Sequence, residues 1–204
     1  ELTDDKFTYA RMIQKMAEDE NRNNLIIDDV RKALKEGRSP IVLTNLTAHV
    51  ETLANALVPH CEHVITLIGS ESAREKRQKM EVLQNIPSSE PLVIVATGKY
   101  VGEGFDYPRL DTLFLALPVS WKGIIAQYAG RLHREYVGKK EVRIYDYIDI
   151  RVPMCDVMYK RRLRGYASVG YQIKSIAPMD LFNESHSVIF NGHTYQNEFS
   201  NDLF

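Results

Sequence analysis

Four short runs in this chain are apolar almost throughout: 40–44 (PIVLT), 63–68 (HVITLI), 91–97 (PLVIVAT) and 112–117 (TLFLAL). A strand that is apolar on both of its faces must be covered on both, and a parallel sheet flanked by helices is the architecture that does this. The segments between the runs supply helical spacing: Val50, Leu53, Leu57 and Val58 after the first, a charged stretch from about Glu71 to Gln84 after the second, and about Ser120 to His133 after the fourth. The run 141–149 (EVRIYDYID) closes the series. The expected class is therefore α/β, a parallel sheet with helices on both faces.

The flanks read differently. Met12, Ile13 and Met16, then Ile26, Ile27, Val30 and Leu34, fall at helical spacing and predict two helices within 5–36, the second ending near Gly37. After Pro153 comes a helix carrying Lys160, Arg161, Arg162 and Arg164, then β-like runs in which Asn191-Gly192 is the signature of a tight hairpin turn. The expected divisions are 1–38, a helical segment packing on the central domain; 39–152, that domain; and 153–204, a basic helix and β-hairpin extension.

The 26 Lys and Arg against 27 Asp and Glu in 204 residues leave a net charge of −1, so overall charge names no partner. Its distribution says more: residues 131–174 carry 11 basic and 5 acidic side chains, and 175–204 carry 4 acidic and no basic ones. A basic stretch is a solvated helix face or an electrostatic footprint for nucleic acid, and both readings stand at this point. No run reaches the roughly 18 to 20 apolar residues of a membrane span, and ELTDDKFTYA is too polar for a secretion signal, so a cytoplasmic location is expected. Cys61 and Cys155 read as buried free thiols, and the six histidines show no paired ligand spacing, so no metal site is expected. The chain opens on Glu1 instead of methionine, which suggests a piece of a longer polypeptide and hence half of a site.

Ligands of an open parallel sheet bind beyond the carboxyl ends of its strands. Two loops there carry chemistry. In 96–108 (ATGKYVGEGFDYP), Thr97 and Gly98 offer a hydroxyl and amide groups, Gly102 and Gly104 let the backbone approach a ligand closely, and Asp106 is placed to accept from a sugar hydroxyl or to orient an arginine. Phosphate is the natural ligand; a tight turn is the plainer use of the glycines. In 127–134 (QYAGRLHR), Gln127, Arg131 and Arg134 fall at i, i+4 and i+7 on one helix face, and two guanidinium groups suit a phosphate chain because each planar fork holds two oxygens.

Taken in order, these elements resemble the second, RecA-like motor domain of superfamily 2 helicases and translocases. Residues 97–108 (TGKYVGEGFDYP) resemble motif V, and 127–134 (QYAGRLHR) resemble motif VI. Upstream, 41–57 (IVLTNLTAHVETLANAL) resemble motif IV with its helix, and 67–77 (LIGSESAREKR) the glycine-then-helix element that follows. The resemblance covers about 40–150. It implies that Arg134 is the arginine finger, that Arg131 is its neighbour on the γ-phosphate, and that Gln127 helps position the phosphate or the attacking water. It places Gly104 and Asp106 near the γ-phosphate and ribose of ATP. Phosphates of a nucleic acid strand would be met by Thr44, Asn45, Gly69, Ser70, Thr97 and Gly98, which implies sequence-independent tracking.

No GxxxxGK[ST] loop is present: Gly98-Lys99 is followed by Tyr100, and Gly138-Lys139 by Lys140. The resemblance therefore implies that a preceding RecA-like domain holds ATP and its Mg²⁺ and that this piece alone does not hydrolyse ATP. The QxxGRxxR form of motif VI, without the opening His-Arg of the DEAD-box RNA group, and the EGFDYP form of motif V resemble those of DNA-directed members related to restriction and repair helicases, which implies DNA in preference to RNA. The alternative is a catalytically inactive nucleic-acid-binding or regulatory module with the same fold. Trp121 reads as packing the start of the motif VI helix, with base stacking as the other reading, and a strand-separating wedge is one use for the hairpin near Asn191.

Overall fold

The five runs form strands β1 (Pro40–Thr44), β2 (His63–Leu67), β3 (Leu92–Thr97), β4 (Thr112–Leu115) and β5 (Glu141–Ile148) in a computed structural model that describes residues 2–102, 104–119, 124–149, 152–168, 170–176 and 186–193. They pair in the order β2-β3-β1-β4-β5, every pair parallel. The chain leaves β1 toward β2 on one side and leaves β4 toward β5 on the other, so the carboxyl ends of the neighbours β1 and β4 form a topological switch point.

Alternation along each strand sorts the core into two layers. Val42, Val93, Val95, Phe114, Tyr145 and Tyr147 face helices α2 (Glu20–Lys35) and α3 (Thr47–Leu57), and Phe114 stacks on Tyr145 with centroids 4.3 Å apart. Ile41, Leu43, Ile94, Leu113 and Ile144 face α4 (Ala73–Asn85), α5 (Gly98–Gly102), α6 (Ile124–Leu132) and α7 (Pro153–Ser168). Helix α1 (Leu2–Glu18) joins a smaller cluster with Cys155 and Leu117. Both cysteines are free and buried. Among the described residues no helix is long and apolar enough to cross a membrane.

Local chemistry sets the helix ends. Asp19 caps α2 by accepting from the amides of Asn21 and Arg22. Ser72 and Glu75 form a capping box, which starts α4 at Ala73 rather than at the expected Glu71. Helix α6 ends at Leu132, so Arg134 lies beyond it in a turn, and the single helix face expected for Gln127, Arg131 and Arg134 extends only to the first two. Trp121 lies outside the described residues.

The extension corrects a second expectation. Asn191-Gly192 is not a turn: both residues lie inside β7 (His186–His193), where Asn191 pairs with Arg143 and Gly192 with Val142 of β5. The antiparallel ladder along all eight residues of β5 outweighs a two-residue turn preference. Strand β6 (Gln172–Ile176) pairs antiparallel with β7, so the extension adds two strands to the sheet edge.

The basic helix also differs from a uniformly solvated face. Arg162 on α7 is 1% exposed; its Nε and Nη2 donate to the Asp146 carboxylate at 2.6 and 2.9 Å and its Nη1 to the Val119 carbonyl at 2.9 Å. Tyr166 donates to the same carboxylate at 3.1 Å. Lys160 pairs with Asp156 one turn away, while Arg161 and Arg164 are exposed. On the opposite layer Arg22 is equally buried and donates to both oxygens of Asp149 and to the Ala116 carbonyl.

Breaking a buried pair strands its partner's charge. Asp146→Ala is expected to cost about 3–5 kcal/mol in urea unfolding, whereas Lys160→Ala, at an exposed pair, stays within about 0.5 kcal/mol.

Candidate functional site

The loop after β3 and the helix after β4 meet beyond the carboxyl edge of the sheet. Two side chains of the helix and one from the turn beyond it reach main-chain carbonyls of the loop. The Tyr128 hydroxyl donates to the Gly98 carbonyl, Arg131 Nη1 to the Val101 carbonyl and Lys139 Nζ to the Pro108 carbonyl. Motif V is thus tied at both ends and in its middle. Beneath the ties lies an apolar cavity lined by Leu43, Phe105, Leu113 and Leu132 among others. Burial pushes the Tyr128 phenol up to about 12, which keeps it a proton donor. A β-carbon at Gly98 would lie 3.2 Å from the Tyr128 oxygen, so the bare backbone permits this approach.

The catalytic candidates occupy different environments. Arg134 is exposed, and its Nη2 lies 3.3 Å from Asp106 Oδ2, with the side chains 61% and 40% accessible. An ion pair this open contributes about 0–1 kcal/mol and breaks readily. Arg131 is half-buried and engaged with Val101. Gln127 is exposed on α6. Gly104 takes φ 103°, a conformation that side chains resist, and sets the path that brings Asp106 to Arg134. Beside them runs a groove lined by Lys76, Met80, Tyr100, Gly104, Phe105 and Asp106. His133 packs edge-on against Tyr171, and burial lowers its basicity.

The strand-binding candidates cluster at the ends of β1, β2 and β3, which are neighbours in the sheet. Asn45 and Ser70 are exposed there, and Asn45 Oδ1 is 3.7 Å from where a β-carbon on Gly98 would sit. The Gly69 amide donates to Thr97 Oγ1 at 2.9 Å, and α4 starts only at Ala73, so Gly69-Ser70 is a turn ahead of the helix rather than its first residues. Lys99, which the sequence reading passed over, is exposed with its stem lying along Gly69; a β-carbon there would come within 3.0 Å of it. Glycine at 69 leaves that path open without a shift of the lysine.

Thr44 is 1% exposed and held from within. The Asn23 amide donates to the Ala17 carbonyl at 2.9 Å, which turns its oxygen toward His49 Nε2 at 2.8 Å. That nitrogen therefore carries the proton, Nδ1 accepts, and the Thr44 hydroxyl donates to it at 2.9 Å. Burial, with the nearby Arg22 charge, lowers His49 to about 4 and keeps it neutral. The chain of bonds fixes the end of β1 from α2 and α3. A folded-state value below the ordinary 6.5 means the unfolded chain takes up the proton first, so stability is full above 6.5 and falls as pH drops toward 4. Urea unfolding from pH 7 to 5 is expected to show this loss, up to about 2 kcal/mol from this group, and His49→Gln to flatten it.

No protein-family model matches the chain. Over 139 residues it is 30% identical to the transcript termination protein A18 of Myxoma virus (strain Lausanne), a match covering 67% of this chain and 28% of that protein. Over 192 residues it is 27% identical to "Putative helicase 161L" of Invertebrate iridescent virus 6, covering 83% of this chain and 38% of the relative. The crystal structure of T4 UvsW superposes with a TM-score of 0.51 at 22% identity, over 63% of this chain and 25% of that one, a likeness of fold. The chain spans well under half the length of each. In fold and in the order of its motifs the chain is similar to the RecA-like C-terminal domains of superfamily 2 helicases.

Proposed function

We propose that this chain is the second motor domain of an ATP-dependent DNA helicase or translocase, and that Arg134 is its arginine finger. The observation that carries the reading is the placement of Arg134: exposed, just past the end of α6, and parked on Asp106 by an open ion pair at 3.3 Å. A guanidinium held this loosely is oriented without being committed, and a phosphoryl group that gathers negative charge would draw it away from a single half-exposed carboxylate. Gly104 and Asp106 suit the outer side of a nucleotide, with the carboxylate accepting from ribose hydroxyls once Arg134 has left it. Gln127 and Arg131 would line the same approach. ATP, when bound, supplies the phosphoanhydride bond, and its triphosphate cradle and Mg²⁺ belong in this reading to a preceding RecA-like domain.

Asn45, Ser70, Lys99, Thr97 and Gly98 would meet the phosphates of a DNA strand, since they gather at the adjacent ends of β1, β2 and β3. Groups of this kind fix a strand without reading its bases. Because Gly98 is tied to Tyr128 of α6, a shift of the strand contacts and a shift of the nucleotide contacts belong to one body.

In the full-length protein, Arg134→Ala is expected to lower DNA-stimulated ATP hydrolysis by about 10³-fold or more while ATP binding stays within a few-fold. Wild-type hydrolysis in the variant would contradict the reading and favour a regulatory module of the same fold.

A further inference from the structure

Lys139 lies outside both motifs, yet it is the side chain that joins their far ends. The turn from Tyr136 to Lys139, closed by the Lys139 amide on the Tyr136 carbonyl at 3.0 Å with Gly138 at φ 85°, folds the chain back under α6. From there Nζ donates to the Leu132 carbonyl at 3.0 Å, to the Arg134 carbonyl at 2.8 Å and to the Pro108 carbonyl. Three acceptors match the three protons of an ammonium group. Two of them belong to the last residue of α6 and the turn beyond it, where carbonyls lack helical partners and a cation is favoured. The third ends motif V.

We propose that Lys139 is a positioning residue for hydrolysis: it fixes the main chain at Arg134 against the end of motif V and thereby sets where the guanidinium of Arg134 can reach. This rests on the reading of Arg134 as an arginine finger. The sheet does not fix that distance by itself, because Arg134 lies past the end of α6 and its side chain is held, among the described residues, by the exposed pair with Asp106. Without Lys139 the turn would keep the Arg134 amide on the Arg131 carbonyl, at 3.1 Å, and would lose its tie to the main chain of motif V, leaving the open Arg134–Asp106 pair. The site is half-buried, and Asp106 and Asp111 oppose the desolvation that pulls Lys139 down to about 8. The lysine is thus held at a cost that a solvent-facing residue would not bear.

The test uses the full-length protein with Lys139→Met and Lys139→Arg, and with Arg134→Ala as the control. Displacing an attacking or stabilising group by about 1 Å costs up to about 100-fold, so Lys139→Met is expected to lower kcat by about 10-fold or more. The KM for ATP and the affinity for DNA should stay within about twofold, because ground-state contacts are untouched. Lys139→Arg, which restores charged donors, should recover most of the lost kcat. If Lys139→Met does not fold, Lys139→Gln, which retains two donors, is read in the same way. Unchanged kcat in a folded variant, or a loss seen only in KM, overturns the inference. The control separates the two levels: an active Arg134→Ala protein sinks the arginine finger itself, whereas an inactive one beside a fully active Lys139→Met protein sinks only the role of Lys139.

Discussion

The site depends on side-chain donors of α6 and the turn after it, bound to main-chain acceptors of the segment that leaves β3. Tyr128, Arg131 and Lys139 each donate to a carbonyl of motif V, at Gly98, Val101 and Pro108. A bond from a neutral group contributes about 0.5–1.5 kcal/mol and one from a charged group about 1.5–3. Their sum is modest beside the core, yet it determines geometry, because the acceptors belong to the backbone and cannot rotate away. Motif V is in effect cast onto α6, and Arg134 projects from the far end of that assembly.

What holds the near end is a pair of buried arginines. Arg22 on α2 and Arg162 on α7 approach from opposite layers, and each spends a donor on the connection leaving β4, at the carbonyls of Ala116 and Val119. Tyr9 on α1 adds a bond to the Pro118 carbonyl at 3.3 Å. Asp149 and Asp146 balance the two charges. The connection leaving β4 is thereby held, as far as Val119, by helices from both ends of the chain.

The sheet was legible in the sequence because runs such as PLVIVAT have one economical burial, between two helical layers; loop position singled out 96–108 and 127–134, and the resemblance identified them with motif V and motif VI. Arg162 was not legible: a cation among Lys160, Arg161 and Arg164 carries no mark of which one turns inward, and only the packing of α7 against Asp146 decides it. Asn191-Gly192 misled because a turn preference is local whereas the partner strand, β5, lies some 50 residues away in sequence, beyond any local signal. The end of α6 mattered most for function. Reading one helix through Arg134 placed it rigidly beside Arg131, whereas the turn after Leu132 frees its direction and leaves Asp106 and Lys139 to set it.

The most direct measurement is a crystal structure of the full-length protein with an ATP transition-state analogue. In this arrangement Arg134 is expected to leave Asp106 and lie within hydrogen-bond distance of the terminal phosphoryl mimic, while the bonds from Tyr128, Arg131 and Lys139 to motif V persist. An Arg134 still paired with Asp106 and turned away from the nucleotide would contradict it.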